Sequence, residues 1–593
     1  GATAPARRCR PPSSASAEEV AGAAGRTGAE CLGYRPWSGR MCLEWPMADQ
    51  PSAGLIIRDV RIVPFRSRTE LGGLRRGDRG PGSLDVPPLP GEPVDVRVTG
   101  GRVVEVGRGL SAPGVPVFQA DGSFLIPGLW DAHAHLDMEA ARSARIDTLA
   151  TRSAEEALEL VARALRDLPA GSRPATIQGF GHRLSNWPRL PTVAELDAVT
   201  GEIPTLLISG DVHSGWLNSA ALRIFGLPQA SAQEPGTPMK EDPWFALLDR
   251  LDEVPGTREL RESGYRQVLA DMLARGITGV VDMSWSEDPD DWPRRLQAMA
   301  AQGALPAVLP RIRVAVYRDK LERWIARGLR TGVELPGSPR LADGSPVLLQ
   351  GPLKVIADGS MGSGSAHMCE PYPAELGLEH SCGVVNIDRA ELTDLMARAG
   401  RQGYEMAIHA IGDAAVDDVA AAFALSGAVG RLEHAQLLPA DALDEPDGAL
   451  RRLVGCGVEL SVQPAHLIDD WAAVSRVWPG LEGRTYAFAD MVAGGALLQL
   501  GSDAPVAPLD PWLAMAAAVG RKTPDGSVWS PDQRLTAEEA LAASVNGAGP
   551  VAEGSQADLV LLAEDPLRLG AEELARVRPL ATMVAGAVAS SQK

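Results

Sequence analysis

The feature that most constrains this fold is a long alternation of short apolar segments and amphipathic segments in the middle of the chain. Short apolar strands that alternate with amphipathic helices, such as those expected at Ala154–Leu168 and Arg389–Gln402, are typical of parallel β/α units. Roughly eight such units over ~400 residues favour a closed (β/α)8 barrel of the TIM type over an open sheet, and so an α/β fold. The sequence does not decide which candidates are the second and third barrel strands. The candidates are Ala175–Gly179, Thr205–Ser209, Gly279–Met283, Arg311–Tyr317, Leu353–Ala357, Glu405–His409, Arg431–His434, Val458–Gln463 and Leu497–Gly501.

The two ends of the chain show a different pattern, with strand-like segments separated by turn residues. These segments lie at Gly54–Val63, Val94–Val98, Val103–Val106 and Val117–Gln119, and again at 557–562 and 579–586. We expect them to pair, so that one small β-sandwich domain is built from both chain ends and the barrel is inserted in it. The predicted boundaries are 1–46 for a disordered leader or non-native extension, 47–125 for the first part of the sandwich, 126–529 for the barrel, and 530–593 for a helix and the second part of the sandwich.

Residues 1–46 are rich in Ala, Arg, Gly, Ser and Pro and show no hydrophobic period, which predicts disorder. They contain no apolar stretch of the kind found in signal peptides. Met47 stands only a few residues before the first strand candidate. We therefore expect Met47 to be the natural start, and deletion of residues 1–46 to leave folding and activity unchanged.

The net charge and the spacing of the cysteines indicate which binding partners and which cellular compartment to expect. The net charge of −19 argues against a nucleic-acid partner, because such sites need a basic surface. The sequence has no apolar run of about 18 residues, so no membrane-spanning helix is expected. The six cysteines form no CxxC pair, which is typical of proteins from a reducing compartment. These observations predict a soluble cytoplasmic protein.

Two histidines separated by one residue follow the apolar segment Phe124–Ile126 and the dipeptide Pro127-Gly128. Because residues i and i+2 of an extended backbone point to the same face, His133 and His135 project together. Two neutral imidazoles side by side suit Zn²⁺ or a similar divalent metal, although an isolated His-x-His pair is common. Active sites of such barrels lie at the carboxyl ends of the strands, so ligand-type residues there predict a metal site. Three more strand candidates end in such residues: His409, His434 and Asp503.

Several sequence blocks in a fixed order resemble the amidohydrolase superfamily, and within it the YtcJ-like group (amidohydrolase family 3), which includes N-substituted formamide deformylases. The resemblance extends from about residue 54 to 586 and implies a metal-dependent (β/α)8 barrel with a small β-sandwich. The blocks are Pro127-Gly128 with Asp131–His135, Asp211–Ser219, Lys354–Gly362, Ile408–Asp413, Glu433–Gln436 and Gly501–Pro505.

The resemblance implies that the metal ligands are His133, His135, His409 and His434. It also implies that Asp503 binds metal and transfers protons, and that a divalent metal, with zinc expected, is present as one or two ions. Lys354 stands where some members of the superfamily carry a carboxylated lysine that bridges two metals. Burial favours the neutral amine that reacts with CO₂. The alternative is an unmodified Lys354 paired with Asp358 or Asp503.

Three further residues are candidates for substrate binding. His213 is a candidate for binding the carbonyl oxygen or the oxyanion formed during attack; the alternative is a structural histidine that caps the following helix. Gln463 is a candidate pocket residue at another strand end, or a barrel-rim hydrogen-bonding residue. Trp187 is a candidate wall of the substrate pocket, or a residue packed under a loop. The other histidines are interpreted as loop, rim or structural residues: His182, His367, His380 and His466.

The resemblance therefore predicts a hydrolase that cleaves a non-peptide C–N bond, an amide or N-formyl group, of a small-molecule substrate by attack of metal-activated water. One alternative is a hydrolytic deaminase or cyclic amidase of the same superfamily, because these share the ligand set. Another is a barrel that binds a ligand without turnover. Enzymes of this resemblance often pair through exposed barrel faces, so a homodimer is a further expectation.

Overall fold

The structure is a computed structural model that describes most of the chain from residue 54 onward. The predicted leader 1–46, Met47 and His213 lie outside the described residues. These described residues are 54–71, 89–168, 171–182, 184, 187–210, 214–228, 236, 238–248, 250–285, 288–362, 364–442, 445–523 and 526–591.

The N-terminal strands form the first half of a sheet. They are β1 (Leu55–Ile62), β2 (Val94–Thr99), β3 (Arg102–Gly107), β4 (Val117–Gln119) and β5 (Phe124–Pro127), with helix α1 (Arg68–Leu71) after β1. β2 pairs antiparallel with β1 and β3, while β4 and β5 run parallel to β1. Gly100 and Gly101 join β2 to β3 with φ values of 55° and 70°. Glycine adopts positive φ without steric cost, so this pair suits a two-residue hairpin turn.

A five-stranded sheet is inserted after the first barrel strand. β6 (Leu129–Ala134) begins the barrel and leads into α2 (Leu136–Ser143). The inserted sheet has the order β11-β10-β9-β8-β7. Its strands are β7 (Ile146–Asp147), β8 (Ile177–His182), β9 (Thr205–Ser209), β10 (Ser214–Leu217) and β11 (Met239–Lys240), and its helices are α3 (Ala154–Arg166), α4 (Val193–Thr200), α5 (Ser219–Ile224) and α6 (Glu241–Leu248). Two strand candidates from the sequence, 175–179 and 205–209, therefore lie in this sheet and not in the barrel.

Eight parallel strands form the barrel, in the order β18-β17-β16-β15-β14-β13-β12-β6. The remaining seven are β12 (Ile277–Asp282), β13 (Arg311–Tyr317), β14 (Leu348–Ile356), β15 (Met406–Ala410), β16 (Gly430–His434), β17 (Glu459–Val462) and β18 (Leu498–Leu500), preceded by α7 (Thr257–Ala274). This arrangement confirms the predicted TIM-type barrel within an α/β fold.

Helices follow the barrel strands and cover their outer surface. They bury large side chains against the strands, among them Trp292, Trp324, Phe423 and Trp512. Among the described residues, no helix has the length and apolarity needed to cross a membrane. These helices are α8 (Asp291–Ala301), α9 (Leu321–Ala326), α10 (Arg389–Arg401), α11 (Asp413–Ser426), α12 (Ala449–Gly455), α13 (Leu467–Val477), α14 (Phe488–Ala493) and α15 (Pro511–Gly520).

The barrel closes where the segment after β18 meets the end of β6. The Asp503 N–H donates to the His133 carbonyl at 2.6 Å, and the His135 N–H donates to the Ala504 carbonyl at 2.8 Å. Gly501 permits this approach, because a Cβ there would lie 2.8 Å from the His133 backbone nitrogen. Two candidate metal ligands are therefore hydrogen-bonded across the closing seam.

The C-terminal strands return to the N-terminal sheet. β19 pairs antiparallel with β5, which gives the order β21-β20-β19-β5-β1-β2-β3 and confirms that strands from both chain ends pair. Thr536 caps the helix predicted near residue 536. The last elements are α16 (Ala537–Ala543), β19 (Leu559–Leu562), α17 (Ala571–Leu574), β20 (Ala581–Val584) and β21 (Ala587–Ser591).

Candidate metal centre

The structure brings the six predicted ligand residues to the carboxyl end of the barrel. The His133 ring centroid lies 5.3 Å from that of His135 and 5.1 Å from that of His434, and the His409 and His434 centroids are 4.5 Å apart. Each residue comes from a strand end or the segment just after it. They are His133, His135, Lys354, His409, His434 and Asp503.

Asp503 lies at the middle of this group. Its Oδ1 is 3.1 Å from His135 Nε2 and 3.4 Å from His133 Nε2. Burial alone would raise the pKa of Asp503, but the surrounding imidazoles, His133 foremost, hold the pKa well below its usual range. The Asp503 carboxylate is therefore ionised at neutral pH and able to bind a cation or accept a proton.

Two of the candidate ligands have left-handed backbone conformations, with φ of 73° at His434 and 57° at Asp503. Such conformations are uncommon for residues with a Cβ and concentrate at functional sites. In β16, Arg431 and Glu433 share one face, so regular alternation would direct His434 away from them. The backbone turn at His434 instead places its ring beside that of His133.

His133 is oriented by a buried ion pair. Its Nδ1 lies 2.8 Å from Glu433 Oε2, and Arg431 Nε lies 2.6 Å from the other oxygen of Glu433. Burial would raise the pKa of Glu433, but Arg431 and His133 hold the pKa below its usual range. Burial, and then the charge of Lys354, lower the pKa of His133 to about 4. With Nδ1–H donating to the ionised Glu433, the lone pair of His133 is on Nε2, which faces Asp503.

His409 is held from the opposite side of the centre. Its Nε2 lies 3.2 Å from the Gly359 carbonyl oxygen and 3.4 Å from Asp358 Oδ1. Burial, and then Lys354, lower the pKa of His409 to about 3, so the ring is neutral. A neutral ring that donates through Nε2–H to Gly359 has its lone pair on Nδ1.

Asp358 links the loop after β14 to the loop after β15. It accepts hydrogen bonds from the backbone N–H groups of His367, Ile411 and Gly412 at 2.9–3.0 Å. Burial raises the pKa of Asp358 to about 7. The Asp358 side chain thereby fixes the two loops that surround His409.

Lys354 is buried in β14, with its Nζ 3.4 Å from His133 Nε2. Burial lowers its pKa from 10.5 to about 8. In the part of the chain that the structure describes, no carboxylate oxygen forms an ion pair with Lys354 Nζ within 4.0 Å. The alternative predicted from the sequence is an unmodified Lys354 paired with Asp358 or Asp503. Without such a pair, the charged form of Lys354 is less stabilised than that alternative requires.

Sequence reasoning missed His466. The sequence predicts a loop or rim residue at this position, but His466 Nε2 lies 3.7 Å from Asp503 Oδ2 and its ring stacks on that of His434, with ring centroids 6.2 Å apart. Its position three residues after Gln463, just beyond the end of β17, was the available signal. The orienting residues Glu433, Arg431 and Asp131 were also missed. Asp131 accepts backbone N–H bonds from His133 and Ser502 at 3.0 and 3.1 Å.

The predicted substrate-binding residues have different locations. Gln463 is buried directly after β17, and its amide donates to the Ser461 carbonyl at 3.3 Å. Trp187 lies in the core of the inserted sheet, stacked on His182 and donating to the Thr151 carbonyl at 3.1 Å. His213 lies outside the described residues. Roles for these three in substrate binding stay predictions.

The donor set fits a divalent metal. Among the described residues, two groups have ligand atoms that all lie within 4.8 Å of one another: His133 with His135 and Asp503, and His434 with His466 and Asp503. His434 Nδ1 and His466 Nε2 are buried and have no hydrogen-bond partner among the described residues. Buried imidazole nitrogens without partners, beside an ionised carboxylate, are suited to a zinc-like ion.

A sequence profile described as the amidohydrolase family matches residues 117–589. The chain belongs to the amidohydrolase family. This finding confirms the family predicted from the sequence blocks. Membership of this family supports a hydrolase that acts on amide-type bonds.

Curated relatives resemble this amidohydrolase over most of their length. The N-substituted formamide deformylase of Arthrobacter pascens is 28% identical over 537 residues, which cover 83% of this chain and 94% of that protein. The putative amidohydrolase YtcJ of Bacillus subtilis (strain 168) is 25% identical over 507 residues, covering 80% and 91%. These matches agree with the predicted YtcJ-like and deformylase-like group.

A solved structure has the same fold. The crystal structure of an uncharacterized metal-dependent hydrolase from Pyrococcus horikoshii OT3 is 24% identical, with a TM-score of 0.65 over 88% of this chain and 99% of that chain. The similarity supports the barrel and the arrangement of its strands.

Proposed function

We propose that this amidohydrolase cleaves a non-peptide C–N bond, an amide or N-formyl bond, of a small-molecule substrate, with a divalent metal at the site of the clustered histidines. The observation that carries the proposal is the ionised Asp503 within 3.1–3.4 Å of His135 and His133, at the carboxyl end of the barrel. The similarity to an N-substituted formamide deformylase supports an N-formyl or N-acyl substrate.

The proposed metal is zinc, as one or two ions, held by His133, His135, His409, His434 and Asp503. Such an ion supplies Lewis acidity, which polarises a substrate carbonyl and makes water acidic enough to attack near neutral pH. Neighbouring residues orient the imidazole rings: Glu433 holds His133 through Nδ1, and the Gly359 carbonyl holds His409 through Nε2.

Asp503 is the proposed acid–base residue. Its low pKa keeps it ionised before attack, and its two carboxylate oxygens face different histidines. In this proposal the carboxylate accepts a proton from the attacking water and then donates it to the leaving nitrogen. The amine product is released after that second proton transfer.

Lys354 is proposed to be carboxylated. Its Nζ lies beside His133, and burial moves its pKa close to neutral pH, which provides the uncharged amine that CO₂ requires. The carbamate anion would then add a negative ligand between the histidines from β6 and those from β15 and β16.

The test is product analysis on a panel of N-substituted formamides, other N-acyl amines and aminated heterocycles. The protein is first stripped of metal and then reloaded with zinc. We expect formate or another carboxylate together with an amine, and loss of turnover in Asp503→Asn. His380→Ala, at an exposed position, is the matched control and should keep full activity. Ammonia release from the heterocycles alone would contradict amide cleavage and indicate a deaminase.

A further inference from the structure

His466 has the local structure of a residue aimed into the metal centre. β17 ends at Val462, and a short helical turn, Pro464–His466, leads directly into α13. The His466 side chain is only 10% exposed. Its Nε2 has no hydrogen-bond partner among the described residues. A buried polar nitrogen without a partner costs free energy unless a ligand satisfies it, so this position calls for an explanation.

The two oxygens of Asp503 divide the histidines into two sets. Oδ1 faces His133 and His135, whereas Oδ2 faces His466 at 3.7 Å. Two ligands about 2.1 Å from one tetrahedral ion lie about 3.4 Å apart, so the spacing on the Oδ2 side is close to that on the Oδ1 side. The His434 ring completes the second set, stacked beside that of His466.

A buried polar network fixes His466 relative to His434. Gln436, two residues after His434, donates to Asp470 Oδ2 at 2.7 Å. Asp470 lies in the first turn of α13, four residues after His466, and the Tyr486 hydroxyl also donates to it. His466 directly precedes α13, so this network holds the first turn of that helix beside the segment that follows His434.

We propose that His466 is a metal ligand, which forms a second half-site with His434 and Asp503 Oδ2. The inference rests on the proposed metal-dependent function. It assigns His466 to the ion-binding machinery in place of the rim role predicted from the sequence. It also makes Asp503 the carboxylate shared by the two half-sites.

The experiment is a titration of the metal-free protein with Co²⁺, followed by the visible d–d absorption and by the number of ions bound per chain. In His466→Ala we expect the Co²⁺ affinity of one of the two half-sites to fall at least about tenfold. We also expect the cobalt spectrum to change. Added imidazole should restore the spectrum, which a misfolded variant would not do. His380→Ala is the matched control and should titrate like the wild type.

Three other results would overturn the assignment. If His466→Ala binds Co²⁺ with unchanged stoichiometry, affinity and spectrum, His466 is not a ligand, while the proposed function stands. If His466→Ala binds Co²⁺ unchanged but loses turnover, His466 contacts the substrate instead of the metal. If the wild-type chain binds no Co²⁺, both the metal-dependent function and the ligand role of His466 fail.

Discussion

Glu433 is fully buried, hydrogen-bonded to His133 and ion-paired with Arg431, so it controls the tautomer and the orientation of the His133 ring, which is proposed to bind metal. Glu433→Gln keeps an acceptor for His133 Nδ1–H but removes the charge that raises the basicity of the ring. We expect metal affinity to fall about 10–100-fold, as is typical when such outer partners of metal ligands are replaced. Competition with a chromophoric chelator measures this. Glu405→Gln, at the exposed position just before β15, is the control, and equal affinities in the two variants would contradict the role of Glu433.

Lys354 should take up CO₂ in a pH-dependent manner. An ordinary lysine with a pKa of 10.5 is almost fully charged at pH 8, whereas Lys354, with a pKa of about 8, is half neutral there. Only the neutral amine reacts, so carbamate formation in metal-free protein should rise as pH increases from 7 to about 8.5 at constant dissolved CO₂. Carbon-13 NMR with labelled bicarbonate measures it. Lys354→Met should lack the signal, and a wild-type protein without it at every pH would refute carboxylation.

At the residue scale, the sequence was sufficient to predict the position of a candidate ligand where that residue continues a regular strand. His409 follows the alternation of its strand, and His133 and His135 lie near each other at the end of β6, as the extended-backbone argument predicts. His434 could be placed at a strand end from the sequence, but the direction of its ring could not, because its left-handed backbone breaks the alternation. His466 was missed because it lies in a helical turn beyond the strand end, a position whose direction depends on tertiary packing.

At the element scale, α16 depends on a reciprocal cap. Thr536 Oγ1 accepts from the Glu539 N–H at 3.2 Å, and Glu539 Oε2 accepts from the Thr536 N–H at 2.9 Å. Thr536→Ala should cost about 1 kcal/mol of local stability, whereas Thr536→Ser, which keeps the hydroxyl, should cost much less. Hydrogen exchange at the Glu539 amide measures the local effect. Equal protection in the two variants would show that packing alone maintains this helix end.

Element type was predictable, but sheet membership was not. β9 has all five residues buried, and a short buried run of this kind has the same pattern in a barrel and in a separate sheet. Its assignment to the inserted sheet is determined by pairing with β8 and β10. Long-range pairing of this kind leaves no signal in local periodicity.

At the scale of the whole molecule, Asp558 joins the terminal sheet to the barrel. Its carboxylate accepts from Arg311 Nε at 2.7 Å, where β13 begins, and from the Ala585 N–H at 2.7 Å. Asp558→Asn leaves a largely buried Arg311 without its main partner, so we expect a loss of about 3 kcal/mol and a lower melting temperature. The exposed pair of Arg166 and Glu159 gives a control, because Glu159→Gln should change stability by less than about 1 kcal/mol. If Asp558→Asn melts at the same temperature as the wild type, Asp558 does not stabilise the join between the terminal sheet and the barrel.

The direct join between β5 and β6 has a consequence for biosynthesis. β5 belongs to the terminal sheet and pairs with β19, while the barrel closes only when the segment after β18 reaches β6. Both strands therefore leave the ribosome long before these partners exist. Contacts between distant parts of a chain form slowly and leave apolar strands exposed in the meantime. We expect the nascent chain to remain a client of chaperones until its last strands are released.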